Sequence, residues 1–426
     1  MKGLVILALF VIVIICLLFV HTASAFLIVK TIPVGNGPYG VVYDSAKKEI
    51  FVTNYNSNSI SVISDATNIV IATIPVGANP NGVAYDSAKG EIFVANQGAG
   101  TVSVISDTTN SIVATINVGI QPSGLAYDSG MKEIFVANTG SKSVSVINDT
   151  INSVDSTIPV GNYPYGVAYD PAKKEIFVTN NGPSGPVASV ISDKTHSVTA
   201  TISSGGNSLG ALYDPFMREV FVANAPSGVY VIPDSTNIVI ATIPVGSDPI
   251  GIAYDPAKKE ILAPNAGSNN VSIINATTNS IVTTIPVGTA PYGVAYDSGK
   301  GEMFVANYNS NSISVISDSK SAITTTLLTQ YRSTISQSSS VTFQGHVHDL
   351  FSLSTTPTGM ISWSDGGAGG HFSSSFCTLT TLSPSSGSCS IVYTAPSSSG
   401  KVTITGTYSS DGTHYASSGT SAITVS

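Results

Sequence analysis

Residues 40–77 read GVVYD, SAKK, EIFVTN, YNSN, SISVISD, ATN and IVIATIPVG in succession. Short polar segments separate four runs rich in β-branched and aromatic residues, which predicts four strands joined by tight turns. The second run, Ile50-Phe51-Val52, is apolar on consecutive residues and therefore on both faces, as in a strand covered on each side. The fourth closes on Ile74-Pro75-Val76-Gly77. Proline cannot donate to a ladder, so this run belongs at a sheet edge. Pro33, Pro159, Pro244 and Pro286 mark the same point elsewhere in the chain.

The unit recurs. Its Tyr-Asp pair begins at Tyr43, Tyr85, Tyr127, Tyr169, Tyr213, Tyr254 and Tyr296, in steps of 42, 42, 42, 44, 41 and 42 residues. Such a period marks a propeller or solenoid, in which no unit buries its apolar face alone. Seven units lie within the range that closes a ring. The expected fold is all-β: a seven-bladed β-propeller over 26–320, with the GVAYD strand beside the axis and the proline-bearing strand outside. Gly40, Gly82, Gly124, Gly166, Gly210, Gly251 and Gly293 enter the inner strands, where side chains would crowd. The Asp of each Tyr-Asp is read as a turn cap. Glu49, Glu91, Glu133, Glu175, Glu219, Glu260 and Glu302 share one repeat position and are read as solvated turn charges.

Thr31-Ile32-Pro33-Val34-Gly35 precedes the first Tyr-Asp, whereas no Ile-Pro-Val-Gly follows the seventh unit. Residues 27 to 33 are therefore expected to supply the last outer strand and close the ring. The alternative is a frayed arm, with the last outer strand drawn from Ile323 to Leu328.

Phe51-Val52-Thr53-Asn54 and Phe177-Val178-Thr179-Asn180, with Phe-Val-Ala-Asn at 93, 135, 221 and 304, resemble the YVTN-type β-propeller repeat of archaeal surface-layer and related exported proteins. The resemblance covers residues 27 to about 318 and implies a ring and an exported location, but no single activity. The fourth unit departs at Asn181 to Pro186, the fifth at Ser203-Ser204 and Ala225 to Gly228, and the sixth at Leu262-Ala263-Pro264-Asn265. These units are expected to be the least regular.

Residues 321–426 change to Ser, Thr and Gly with few charges, and seven short strand-like runs suggest an immunoglobulin-like β-sandwich. They resemble the Ig-like modules of bacterial and archaeal surface proteins. Residues 1–25 read as a signal peptide: Lys2, an apolar run from Leu4 to Val20, then Ala23-Ser24-Ala25. Retention as a membrane anchor is the alternative. Beyond the leader, Cys377 and Cys389 are the only cysteines and are expected to form a disulfide across a hairpin-like segment.

Chemistry is sparse. The net charge of −8, with 10% charged residues, excludes a nucleic-acid footprint. His196 is read as a turn residue, with nothing in the spacing for a Ser/His/Asp arrangement. His346 and His348 share a strand face; a metal would need His371 or His414 as third ligand, and the preferred reading is no metal and no cofactor. Loops on one ring face are nearly uncharged and rich in Asn and Tyr. Tyr39, Tyr55, Tyr163, Tyr165, Tyr292, Tyr308, Asn54 and Asn307 are the candidate ligand-contacting residues, against ordinary turn composition. Asn148, Asn270 and Asn275 lie in glycosylation sequons.

The expected function is a non-enzymatic, exported cell-surface protein that binds protein or glycan partners and contacts a membrane only if the leader remains. The alternative is a lactonase-like or lyase-like propeller enzyme, for which the loops offer Asp248 and Lys142.

Overall fold

A computed structural model describes residues 26–182, 185–203, 205–317, 324–349, 356–383, 385–409, 411, 414 and 416–426. The leader, the segment joining the two expected domains, and Ser204 lie outside the described residues, as do Pro183 and Ser184 of the fourth-unit loop. Among the described residues no helix is long and apolar enough to cross a membrane. Phe26–Asp318 forms one compact unit, and residues 319–426 fall in another.

In the first unit, Pro38–Asp44, Glu49–Asn54, Ser59–Ser64 and Ile69–Pro75 pair antiparallel in chain order. Six further four-stranded sets follow. The seventh takes its outer strand from Leu27–Pro33, which pairs with Ser312–Ser317 and places Ile32 opposite Ile313. The N-terminal arm is thus part of a sheet and not frayed. Irregularity falls where the repeat departs. The fourth and fifth sets join through Asn181 and Gly182 against Asn207 and Gly206. The sixth inner strand shrinks to Ala253–Asp255.

The second strand of each set explains the packing. Phe51 packs with Ile92, Val94 and Ile105 of the second sheet, whereas Ile50 and Val52 pack with Phe304, Ile313 and Val315 of the seventh. The same exchange recurs at every junction, with Phe93, Phe135, Phe177, Phe221 and Phe304 all fully buried and Leu262 in the sixth set. Full burial of such a side chain contributes about 1.5–3 kcal/mol. Apolarity on both faces is therefore what joins sheet to sheet.

Near the axis the inner strands touch. Gly210 N donates to Ile250 O at 2.9 Å and Gly251 N to Tyr292 O at 3.0 Å. A Cβ on Gly293 would lie 2.1 Å from Tyr39 O, so the seventh inner strand meets the first and the ring is closed. The Asp caps hold as expected: Asp44 Oδ1 accepts from Ala46 N at 2.8 Å and Lys47 N at 3.1 Å.

The second unit encloses one core between two sheets. One contains Thr324–Gln330, Ser340–Asp349 and Ser386–Thr394; the other contains Ser417–Val425, Gly400–Tyr408, Met360–Ser364 and Phe376–Thr378. Phe343, Trp363, Tyr393 and Tyr408 fill the space between them. Cys377 and Cys389 form the expected disulfide, but not across one hairpin. Cys377 lies on Phe376–Thr378, which pairs with Met360–Ser364, whereas Cys389 lies on Ser386–Thr394 in the facing sheet. The chain changes sheets at Leu379, which is buried in the core, so the bridge links the two layers.

Candidate functional site

The inner strands leave a narrow axial channel of about 180 Å³, lined by their glycines and by apolar side chains such as Val41, Leu125 and Ile252. Tyr39, Tyr165 and Tyr292 also line it. Each follows the proline that begins its inner strand. The hydroxyls of Tyr39 and Tyr165 hydrogen-bond to each other across the axis. Tyr292 packs edge-on to Tyr39 at 4.8 Å and stacks on Tyr308 at 4.8 Å. Tyr55 joins them, 5.9 Å from Tyr39 and 6.3 Å from Tyr308. Burial raises the Tyr39 and Tyr165 phenols above their ordinary range; neighbouring phenols add to the rise at Tyr39, whereas at Tyr165 hydrogen bonds to Tyr39 and Asn81 act against it.

Five of the eight candidate residues therefore form one aromatic cluster, brought together from the first, fourth and seventh sheets. Its polar fringe is made of amides: Tyr55 donates to Gln97 Oε1 at 2.7 Å, and Asn56 Nδ2 donates to the Tyr308 hydroxyl at 3.2 Å. Tyr163 stands apart at a loop tip, 52% exposed. Asn54 and Asn307 leave the set of ligand-contacting candidates. Both are fully buried, and the Asn54 amide donates to Ser59 and Ser61 as the Asn307 amide does to Ser312 and Ser314. Their glycine neighbours explain this: a Cβ on Gly35 would lie 2.6 Å from the Asn54 side chain, so each Asn is sealed beneath the loop.

At the other end of the inner strands, the Tyr-Asp tyrosines bind sheet to sheet. The Tyr43 hydroxyl interacts with Asp297 of the seventh sheet, Tyr85 with Asp44 and Tyr127 with Asp86. Burial, then these carboxylates, hold the phenols well above their usual range. The Glu series departs from expectation. Glu133, Glu219, Glu260 and Glu302 are buried, because each begins a second strand and turns beneath its neighbours. Glu302 interacts with Asn68 and Glu49 with Asn110, both turn residues of the following sheet. Burial raises these carboxyls above the ordinary Glu value.

His196 is likewise not a free turn residue. Its Nδ1 lies 3.0 Å from Ser156 Oγ and its Nε2 3.0 Å from Glu133 Oε2. These contacts join the third sheet to the fourth. The partners are 40 and 63 residues away in sequence, so local spacing gave no sign of them. The repeat did carry a signal: Ser156 stands where other units have Ala72, Ala114 and Ala200, and His196 where they have Asn68, Asn110 and Asn152.

His346 and His348 are stacked neighbours 6.2 Å apart. Among the described residues no group of three His, Cys, Asp or Glu is arranged to hold a metal, and His414 is buried against Asp411. The sequon residues are half-buried and engaged locally; Asn275 Oδ1 accepts from Thr277 N and Thr278 N, both at 2.9 Å.

No family model matches the chain, and no curated protein matches it. Among solved structures it is similar to Kuenenia stuttgartiensis hydrazine synthase, with a TM-score of 0.62 and 20% identity over 66% of this chain and 95% of that one. At that identity the likeness shows the fold alone: all-β and propeller-like.

Proposed function

We propose that the protein is an exported, non-enzymatic cell-surface protein whose ring is a seven-bladed propeller of the YVTN type, followed by an Ig-like module. Its contact surface for protein or glycan partners is the tyrosine and amide face. The observation that carries this reading is the aromatic cluster at the channel mouth, where Tyr39 and Tyr165 meet across the axis and Tyr292, Tyr308 and Tyr55 pack around them. Tyrosine supplies broad apolar area with a polar tip and loses little conformational freedom on binding. Apart from Asn81 and the three tyrosines, the channel beneath is lined by glycines and apolar side chains, and among the described residues no carboxylate, histidine, lysine or arginine lines it, which favours contact over catalysis. The disulfide is consistent with an extracellular protein, and the leader-like residues 1–25 fit export. Half-buried Asn148, Asn270 and Asn275 are the proposed glycan acceptors.

The test is a protein and glycan array screen with the full chain, followed by Tyr308→Ala. Loss of at least about tenfold in affinity is expected, as for removal of a contact aromatic. A partner bound equally well by wild type and Tyr308→Ala would overturn the assignment, as would lactone turnover lost on changing Asp248.

A further inference from the structure

Beside the aromatic cluster, the second sheet lacks the tyrosine and asparagine that fill the equivalent space in the first and seventh. Its loop between second and third strands reads Gln97-Gly98-Ala99-Gly100, where the first and seventh units have Tyr55-Asn56-Ser57-Asn58 and Tyr308-Asn309-Ser310-Asn311. The serine that receives a neighbouring backbone N–H in those loops, as Asn36 N to Ser57 Oγ at 2.7 Å and Thr289 N to Ser310 Oγ at 2.8 Å, is replaced by Ala99. The outer strand ends in Asn117, where five other outer strands end in proline. The next loop carries Ile120, 66% exposed, where five other units have Asn36, Ala78, Asn162, Ser247 and Thr289. These departures are scattered in sequence, but they line one cleft of about 540 Å³ whose far wall is Tyr55. That volume is within the range of ligand sites.

The geometry points to this cleft as a binding site for a neutral oligosaccharide, a site that rests on the interaction role proposed above and gives it a ligand class. No charged residue lines the cleft, so it supplies no counter-charge for a phosphate, a carboxylate or an ammonium group, and an uncharged ligand fits it best. Its polar walls are carboxamides: Asn79, Gln97, Asn117 and Gln121. Each carboxamide both donates and accepts, matching a hydroxyl that does the same. Gln97 is oriented by Tyr55, whose hydroxyl donates to its Oε1 at 2.7 Å, so the Gln97 amide N–H groups remain to donate. Tyr55 and Ile120 supply the apolar surfaces on which the C–H face of a sugar ring rests.

A peptide added as a strand is disfavoured by the backbone. Gln97 N, Gly98 N, Gly100 N and Val118 N already donate to Asn79 O, Ala78 O, Asn96 O and Gly100 O. The loop offers no free ladder for strand addition.

The probes are uncharged oligosaccharides, namely hexamers of glucose, mannose and N-acetylglucosamine, titrated calorimetrically into the full chain with sialylated and uronic-acid glycans as charged comparators. Binding of at least one neutral hexamer is expected. Asn117→Pro restores the residue of the other repeats and keeps the fold, and it should weaken that binding tenfold or more. Gln121→Ala should do the same, whereas Ile69→Ala, at an exposed position on the outer strand Ile69–Pro75 away from the cleft, should leave it unchanged. The inference is overturned if no neutral hexamer binds, if only charged glycans bind, or if Asn117→Pro and Gln121→Ala bind as wild type does. A protein partner lost on Tyr308→Ala, with no neutral glycan bound, would overturn this ligand class and leave the interaction role standing.

Discussion

Ile32→Ala tests ring closure directly. Ile32 is 2% exposed and packs with Phe304, Ile313 and Val315. Its counterparts at the ends of the other outer strands are equally covered: Ile74 is 5% exposed, Ile158 is 3% and Ile243 is 2%. The substitution removes three buried carbons, worth about 0.8 kcal/mol each or roughly 2.4 kcal/mol in transfer, and the cavity brings the total to about 3–4 kcal/mol. Ile28 lies on the same strand but is 43% exposed, so Ile28→Ala should stay within about 0.5 kcal/mol of wild type. Equilibrium urea unfolding followed by circular dichroism gives the comparison. Ile32→Ala and Ile158→Ala should lose similar stability, within about 1 kcal/mol, because the two sites have the same surroundings. Should Ile158→Ala lower the midpoint while Ile32→Ala matches Ile28→Ala, the first strand of the ring would not be a structural part of the seventh sheet.

Burial raises the carboxyls of Glu49, Glu133, Glu175, Glu219, Glu260 and Glu302 above their usual 4.5. The folded ring therefore holds more protons than the unfolded chain from about pH 4.5 up through the raised values, and stability falls as pH rises through that window. The urea midpoint should be higher near pH 5 than near pH 7.5; the reverse order would refute the burial argument. The phenols of Tyr43, Tyr85, Tyr127, Tyr169, Tyr213 and Tyr254 are raised by burial and by neighbouring carboxylates. Their contribution is intact below about pH 10 and is lost above it. Absorbance titration should show these tyrosines ionising together with unfolding, not before it. Reducing the Cys377–Cys389 bridge, with its sequence separation of 12, should cost about 3 kcal/mol by loop entropy. An unchanged melting transition of the C-terminal unit under reductant would argue against that role.

Much of the ring was legible because a repeat multiplies each local signal. The run Ile50-Phe51-Val52 is apolar on both faces, and seven such runs need seven partners. The solitary Thr31-to-Gly35 segment had one vacant place to fill, and it fills it. The tyrosines of the contact face were legible as residue types but not as a cluster. Tyr39 and Tyr165 are 126 residues apart and meet only because the ring brings their strands to one axis. Asn54 and Asn307 were misread for the complementary reason: a turn-favouring residue at a strand end looks exposed in sequence, and only the loop folded over it shows that it is sealed.

The amino-acid sequence by itself determined the unit, its number of copies and the closure of the last sheet, because strand period, proline position and repeat spacing are local properties. Tertiary structure alone decided which residues of different units meet: His196 with Ser156 and Glu133, the carboxamides around the cleft, and the disulfide between layers instead of along a hairpin. Those contacts depend on where distant strands lie across a junction, and no short stretch of chain specifies that distance.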